Sequence, residues 1–370
     1  LSGDIADIMH INSSLKRMDS LMVASNIKKM SRLELLYTCV SNMVKLFSRD
    51  FPDSLPDELK HYCNKDDRNV VIYHNRSEKT SDRIEQVLRD VSQLLPLCSG
   101  KYDEASEYHL LLRVLSEQST RDEHGNYHLK EASDVTMNSR ILQNPADPDA
   151  TFREKNGTQN RGYVANITES VGDNCSIVTD YQYEQNIYSD SQFIQDALDN
   201  TECQPERVVL VADGGYSGAD HTKMADDKNI ELVTTSLLGR EANDVYADFE
   251  FNEEGTRVLQ CASGNKPKSC NYMKPSDQCR ISFHRSTCEN CPLKGQCNPK
   301  MYKHTAVIIV SNKSKERALQ QRFRSTEEFK ELSSIRNGVE TIPSILRRKY
   351  GVDHMPVRKK IPTRHMFGFK

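Results

Sequence analysis

The chain has no tryptophan, and phenylalanine and tyrosine together supply only 7% of its 370 residues. Long apolar runs are missing as well: the longest, Val208 to Ala212 and Ala306 to Val310, fall far short of the ~20 residues that cross a bilayer. No secretory leader is visible, so the expectation is a soluble intracellular protein. No heptad is sustained long enough for a coiled coil and no segment repeats. Eleven cysteines are present, but their odd number and irregular spacing in so long a chain speak against a disulfide framework and for a reducing compartment. Metal binding is the better use for the clustered ones. The sequence opens on Leu1, closes on Phe367-Gly-Phe-Lys370 and reads as clipped at both ends.

At this length the chain can bury a sizeable core, as one large domain with inserts or as two domains. Its net charge of −3 hides an asymmetry, because residues 311–370 hold 15 Lys and Arg against 6 Asp and Glu. A basic terminal segment on an otherwise acidic protein suits phosphate backbones. A solvated basic surface is the alternative.

One stretch organises the rest. Residues 207–218, Arg-Val-Val-Leu-Val-Ala-Asp-Gly-Gly-Tyr-Ser-Gly, begin with an apolar run too short for a helix and without polar alternation, which predicts a strand covered on both faces. Gly214 and Gly215 then let the backbone turn sharply, residues 219–229 read as a helix, and residues 230–235 read as the next strand. In such α/β units ligand sites lie beyond the carboxyl ends of the strands, where Asp213 falls. The alternative is an Asp that merely opens a loop.

Upstream, residues 11–23 predict a strand carrying Asp19 near its middle, although periodicity alone does not pick Asp19 out. Ser31 and Glu34 make a capping box for a helix with Leu33, Leu36, Tyr37, Val40, Met43, Val44 and Phe47 on one stripe. Ile84, Val87, Leu88, Val91, Leu94 and Leu95 mark a second helix that Pro96 stops, and Tyr108, Leu111, Leu112 and Leu115 mark a third. Three one-sided stripes predict helices packed on one another or against the sheet. From Ser119 to Arg161 the chain is polar and turn-rich around Asn144-Pro-Ala-Asp-Pro-Asp149. Asp147 and Asp149 are rival metal-ligand candidates there, with a rigid proline turn the preferred reading. Residues 163–170 and 175–183 alternate as an antiparallel pair, and residues 189–200 read as a short helix.

Residues 240–303 interrupt this pattern with Cys288-x2-Cys291-x5-Cys297, led by Cys261, a spacing suited to a four-thiolate structural zinc site. Cys270, Cys279, His284 and His304 compete for the fourth place, and free thiols are the alternative. Residues 304–310 read as a strand and residues 315–350 as largely helical. On one helix, Arg336, Glu340 and Arg347 would fall within a ~40° arc, an acid flanked by two cations. Pro343 breaks or kinks such a helix, unless the helix starts near Thr341 with the proline in its first turn. A surface salt-bridged Glu340 is the alternative.

Taken in order, several words resemble the DDE transposases of bacterial insertion sequences: Arg17-Met-Asp-Ser20, Ala24-Ser-Asn-Ile27, Asp147-Pro-Asp-Ala150 with Gly162-Tyr163, Ala212-Asp-Gly-Gly-Tyr216, Cys288-Glu-Asn-Cys-Pro-Leu-Lys294 and Arg336-Asn-Gly-Val-Glu340. They span nearly the whole chain. The resemblance implies an α/β fold, a ribonuclease-H-like mixed sheet flanked by helices, with an all-helical insert and a cysteine-rich insert. Residues 1–30 would hold the first core strand, 31–118 the helical insert, 119–239 the main part of the core and 240–303 the cysteine-rich insert. Residues 304–370 would supply the last core strand and a basic helix carrying the third acid. Arg347 stands where the family has lysine, which keeps the charge but changes the geometry of phosphate contact.

The resemblance further implies that Asp19, Asp213 and Glu340 hold two Mg2+ (or Mn2+) ions ~3.5–4 Å apart, one generating the nucleophile and the other stabilising the leaving oxygen. Arg336 and Arg347 would hold backbone phosphate, and Lys155 and Arg161 would touch phosphate nearby. The implied reaction is strand cleavage at element ends followed by transfer of the freed 3′ hydroxyl to target DNA. Its setting would be a homodimer on double-stranded DNA in the bacterial cytoplasm, nucleoid-associated, with no membrane partner. Lacking Trp, the chain would stack a flipped base on Tyr216, Tyr350 or another Tyr or Phe. Two rival readings are a metal-dependent nuclease of the same fold that cuts without joining, and a non-catalytic zinc-containing DNA-binding remnant.

Overall fold

In the computed structural model, which describes residues 8, 11, 14–73, 79–155, 157–172, 175–236, 241–338 and 341–370, the first strand is β1 (Leu15–Ala24). The long helices α1 (Arg32–Asp50), α2 (Thr80–Cys98) and α3 (Ser106–Gln118) follow. Strands β2 (Thr151–Lys155), β3 (Thr158–Val171) and β4 (Ser176–Gln185) then lead to helix α4 (Asp190–Asp199). Strand β5 (Val208–Ala212), helix α5 (Ala219–Asp226) and strand β6 (Ile230–Thr234) make the strand, helix, strand unit. After it come β7 (Ser269–Met273), β8 (Gln278–His284), β9 (Lys300–Met301) and β10 (Thr305–Val310). The chain continues through α6 (Asn312–Phe323), α7 (Glu327–Asn337), α8 (Thr341–Arg348) and α9 (Lys360–Gly368). Among the described residues no helix is long and apolar enough to cross a membrane. Contacts gather the chain into two units: Leu1–Asp19, Ile167–Asp180 and Ser189–Thr341 form the first, and Ser20–Asn166, Tyr181–Tyr188 and Ile342–Lys370 the second.

In the first unit β1 runs parallel to β5, in register from Leu15 opposite Val209 to Met18 opposite Ala212. β5 in turn runs parallel to β6, from Val208 opposite Ile230 to Ala212 opposite Thr234. β3 borders β1 on its other side and carries β4, so the order is β4-β3-β1-β5-β6. Val208, Leu210, Val211 and Ala212 are buried, as an apolar run without alternation requires of a strand covered on both faces. Val211 and Val233 pack with Phe329 of α7. The helix expected through Asn229 stops at Asp226, because the chain reverses through a left-handed Asn229 (φ 60°) to enter β6.

A second, smaller sheet in the same unit has the order β7-β8-β10-β9. Cys279, Ile281 and Phe283 alternate inward on β8 and meet Val310, Ile308 and Ala306 of β10 in antiparallel register. These six side chains form one buried cluster with Phe249 and Val258. β10 was expected to complete the main sheet; it belongs to this one instead. Its alternation explains the difference, since Ile309 is half exposed and a strand with one wet face fits a sheet packed on one side.

In the second unit α1, α2 and α3 share one core. Ser31 caps α1 by accepting from the Glu34 backbone N–H at 3.1 Å. The reciprocal half of the expected capping box is not made, because the buried Glu34 carboxylate accepts from Lys28 and Arg68, each at 3.0 Å. α1 buries Leu35, Cys39 and Ser41 besides its predicted stripe, since α2, α3 and the turn at residues 57–63 all lie against it. α2 runs past Pro96 to Cys98: a proline in the last turn forfeits one backbone bond without ending the helix. Of the stripe expected on α3, Leu112 is exposed, and Val114 takes the buried place beside Leu111 and Leu115. β2 and β3 pair as a hairpin, Thr151 opposite Gly162 through Lys155 opposite Thr158. Gly162 has φ 147°, and a Cβ there would collide with the Val23 carbonyl and stand 2.5 Å from the Ser25 nitrogen.

Candidate active site

The register of β1 on β5 decides where two acids go. Met18 is level with Ala212, so the next residues, Asp19 within β1 and Asp213 just past the end of β5, fall side by side. Adjacent strands lie about 4.8 Å apart, which brings two carboxylates within reach of one cation. Asp213 caps a single 3-10 turn, Gly214–Tyr216, and its Oδ1 accepts from the Gly214 N–H at 2.6 Å. Crowding explains the two glycines that follow: a Cβ on Gly214 would run into the Ser236 side chain, and one on Gly215 would lie 2.5 Å from Oδ2 of Asp190. Neither has the positive φ that a sharp glycine turn would have used.

Arg336, in the last turn of α7, faces both acids. Its Nη2 lies 3.5 Å from Oδ2 of Asp213 and 3.8 Å from Oδ1 of Asp19. The Asp213 side chain is 46% exposed and that of Asp19 20%, so the pair is open to solvent on one side. Behind them stands Arg17, which is 6% exposed. It donates to Oε2 of Glu169 at 2.6 Å, to the Ser176 hydroxyl at 3.1 Å and to the Ile335 carbonyl at 3.1 Å. Arg17 and Asp190 are the polar residues that the sequence reading passed over. Arg17 stood inside the word around Asp19, while Asp190, whose Oδ1 is buried with no hydrogen-bond partner among the described residues, gave no signal.

The remaining candidates separate. Glu340 lies outside the described residues. The single helix expected to carry Arg336, Glu340 and Arg347 on one face is two helices: α7 ends at Asn337 and α8 starts at Thr341 with Pro343 in its first turn, where its missing N–H and fixed φ are tolerated. Arg347 belongs to the second unit, donates to the Met22 carbonyl at 3.2 Å and lies 3.5 Å from Asp353. Lys155 is exposed at the end of β2, and Arg161 lies over the Phe152 ring at 5.0 Å, also in the second unit. Asp147 is fully buried and accepts from the Ser25 hydroxyl and from Tyr163 Oη, the latter at 2.6 Å. Burial first, and then this bond to Asp147, hold the Tyr163 phenol above its usual range. Asp149 accepts from the Lys360 N–H at 3.1 Å, so both Asp147 and Asp149 make structural hydrogen bonds. Tyr216 is fully buried and cannot stack a base, whereas Tyr350 is 38% exposed.

Cys261, Cys288, Cys291 and Cys297 line one cavity of about 20 Å³, floored by Phe283 and Ile308. Burial, then the neighbouring thiols Cys261, Cys291 and Cys288, push Cys297 up to about 11. The rivals for the fourth place are elsewhere: the free thiol of Cys279 hydrogen-bonds with Cys270 and donates to the Thr256 carbonyl, and His284 and His304 are exposed. The donor chemistry suits zinc. Among the described residues, however, no group of three or more His, Cys, Asp or Glu side chains is arranged to hold a metal ion, and Asp19 and Asp213 stand as a pair.

Residues 260–369 match a family model described as Transposase DDE domain. That match covers less than a third of the chain. It takes in the four clustered cysteines, Arg336, Glu340 and Arg347, and leaves Asp19 and Asp213 upstream. No curated protein matches the chain. Among solved structures, a piggyBac transposase synaptic complex with hairpin DNA is similar at a TM-score of 0.26 and 11% identity, covering 90% of this chain and 63% of that one. The chain therefore spans less than two thirds of that protein's length. A likeness of that size assigns neither fold nor partner.

Proposed function

We propose that this chain is a DDE transposase of a bacterial insertion sequence, cutting DNA strands at the element ends and transferring the freed 3′ hydroxyl to target DNA. The observation that carries the reading is the pairing of β1 with β5, which sets Asp19 beside Asp213 with Arg336 against both. The family match over residues 260–369 supports it. The strand order β4-β3-β1-β5-β6 supports a ribonuclease-H-like core, with the helices of residues 31–118 and the cysteine-rich residues 240–303 as inserts.

Asp19, Asp213 and Glu340 would hold Mg2+ or Mn2+, hard cations that suit carboxylate oxygens. Bound there, the metal supplies an activated nucleophile and neutralises charge on the leaving oxygen. Arg336, Arg347, Lys155 and Arg161 bind the sugar-phosphate backbone of double-stranded DNA, in a homodimer that brings two ends together. The bacterial cytoplasm, at the nucleoid, is the setting. Zinc on Cys261, Cys288, Cys291 and Cys297 would be structural, supported by the cavity that all four line; about one equivalent in purified protein is expected.

The test is a strand-transfer assay with a pre-cut 3′ end in Mg2+ or Mn2+. Asp19→Asn and Asp213→Asn should each lower joining by about 1000-fold or more, with gel-shift affinity for DNA retained. Joining that persists in Asp213→Asn overturns the proposal. Cleavage without joining in the wild type would point to a nuclease instead.

A further inference from the structure

Resting on the reading above, in which Asp19 and Asp213 take a divalent cation, we infer that Arg336 competes with that cation for the same two carboxylates and so sets the metal affinity of the site. Three observations carry this. Nη2 of Arg336 is 3.5 Å from Asp213 and 3.8 Å from Asp19, separations of charge attraction, not of strong hydrogen bonds. Its Nε is buried and has no hydrogen-bond partner among the described residues, so none of these holds the head group through that nitrogen. The helix end that bears it is fixed separately: Arg17 binds the carbonyl of the preceding residue, Ile335, and Gly338 packs so closely on the Arg17 guanidinium that a Cβ there would collide with it.

The backbone of Arg336 is therefore anchored while its side chain is held over the acids by charge. A dication held by both carboxylates would have to displace the guanidinium. Phosphate is the partner that a displaced guanidinium prefers. The chain thus carries its own monovalent counter-ion for the acid pair, and each metal ion enters by exchange with it. Removing that charge leaves two neighbouring carboxylates in mutual repulsion, which raises their demand for an external cation.

The experiment is direct Mn2+ binding, read from the electron paramagnetic resonance of the free ion, on the full chain without DNA. Arg336→Gln should bind Mn2+ about tenfold more tightly than wild type, the scale set by one partly exposed charge near two acids. Arg336→Met, similar in length and uncharged, answers the same question should Arg336→Gln fail to fold. Asp213→Asn should weaken binding by about tenfold or more. Unchanged or weaker binding in the uncharged Arg336 variants, with Asp213→Asn weakened as expected, overturns the competition and leaves the metal site standing. Wild-type Mn2+ binding in Asp213→Asn overturns the site itself, and the inference with it.

Discussion

Replacing Arg17 by methionine tests whether the buried pair behind the acids organises this part of the first unit. Among the described residues, Glu169, which is 2% exposed, would keep the Ser176 hydroxyl as its side-chain donor, at 2.8 Å. The Ile335 carbonyl would also lose its guanidinium donor. Breaking a buried ion pair on one side costs about 3–5 kcal/mol, because the charge left behind is still desolvated. Arg17→Met combined with Glu169→Met removes both charges and should cost only about 0–2 kcal/mol, so the double variant should be the more stable of the two. Urea denaturation followed by circular dichroism gives the global value, and amide exchange at residues 335–338 reports the local one. A single variant within about 0.5 kcal/mol of wild type, or a double variant less stable than the single, would refute the reasoning.

Four further outcomes follow from the packing. Gly162→Ala should destabilise the second unit by more than about 2 kcal/mol in the same denaturation assay, since φ 147° and the Val23 carbonyl both oppose a side chain. Tyr163→Phe removes a donor from the fully buried Asp147 and should cost about 1–3 kcal/mol. Leu111→Ala should cost about 2–5 kcal/mol by opening a cavity, while Leu112→Ala, at 42% exposure, should stay within about 0.5 kcal/mol. Burial first, then the charge of Glu117, pushes the Cys39 thiol from 9.0 up to about 12. A raised folded value favours the neutral thiol, so its contribution is complete below pH 9 and is lost as pH rises toward 12. Wild type should accordingly lose more stability between pH 8 and pH 11 than Cys39→Val does.

Local pattern carried much of the fold into view. The apolar run of β5 and the spacing of α1 to α3 are statements about neighbours in sequence, and the proline ring of Pro343 is what set a single straight helix against one starting near Thr341. What lay hidden depends on pairing between distant segments. Asp19 gains its place from a register set nearly two hundred residues away, and Arg17 gains its partner Glu169 across 152 residues, so no window of sequence contains either fact. The sheet that β10 joins is likewise chosen by β8, although the alternation that betrays one exposed face was readable in Thr305–Val310. Tyr216, offered for stacking a flipped base, is fully buried, and nothing in its local sequence signals that burial.

Asp147 ties Ser25, just after β1, to Tyr163 on β3, a closure across 122 residues on its longer side. The whole excursion through α1, α2 and α3 therefore leaves and returns at one clasp. Lengthening a closed excursion adds little to its entropic cost, so what lies between the two ends of the clasp is thermodynamically exchangeable. A chimera that kept Ser25, Asp147 and Tyr163 but grafted a different self-folding module between residues 31 and 118 should still fold on either side of the join.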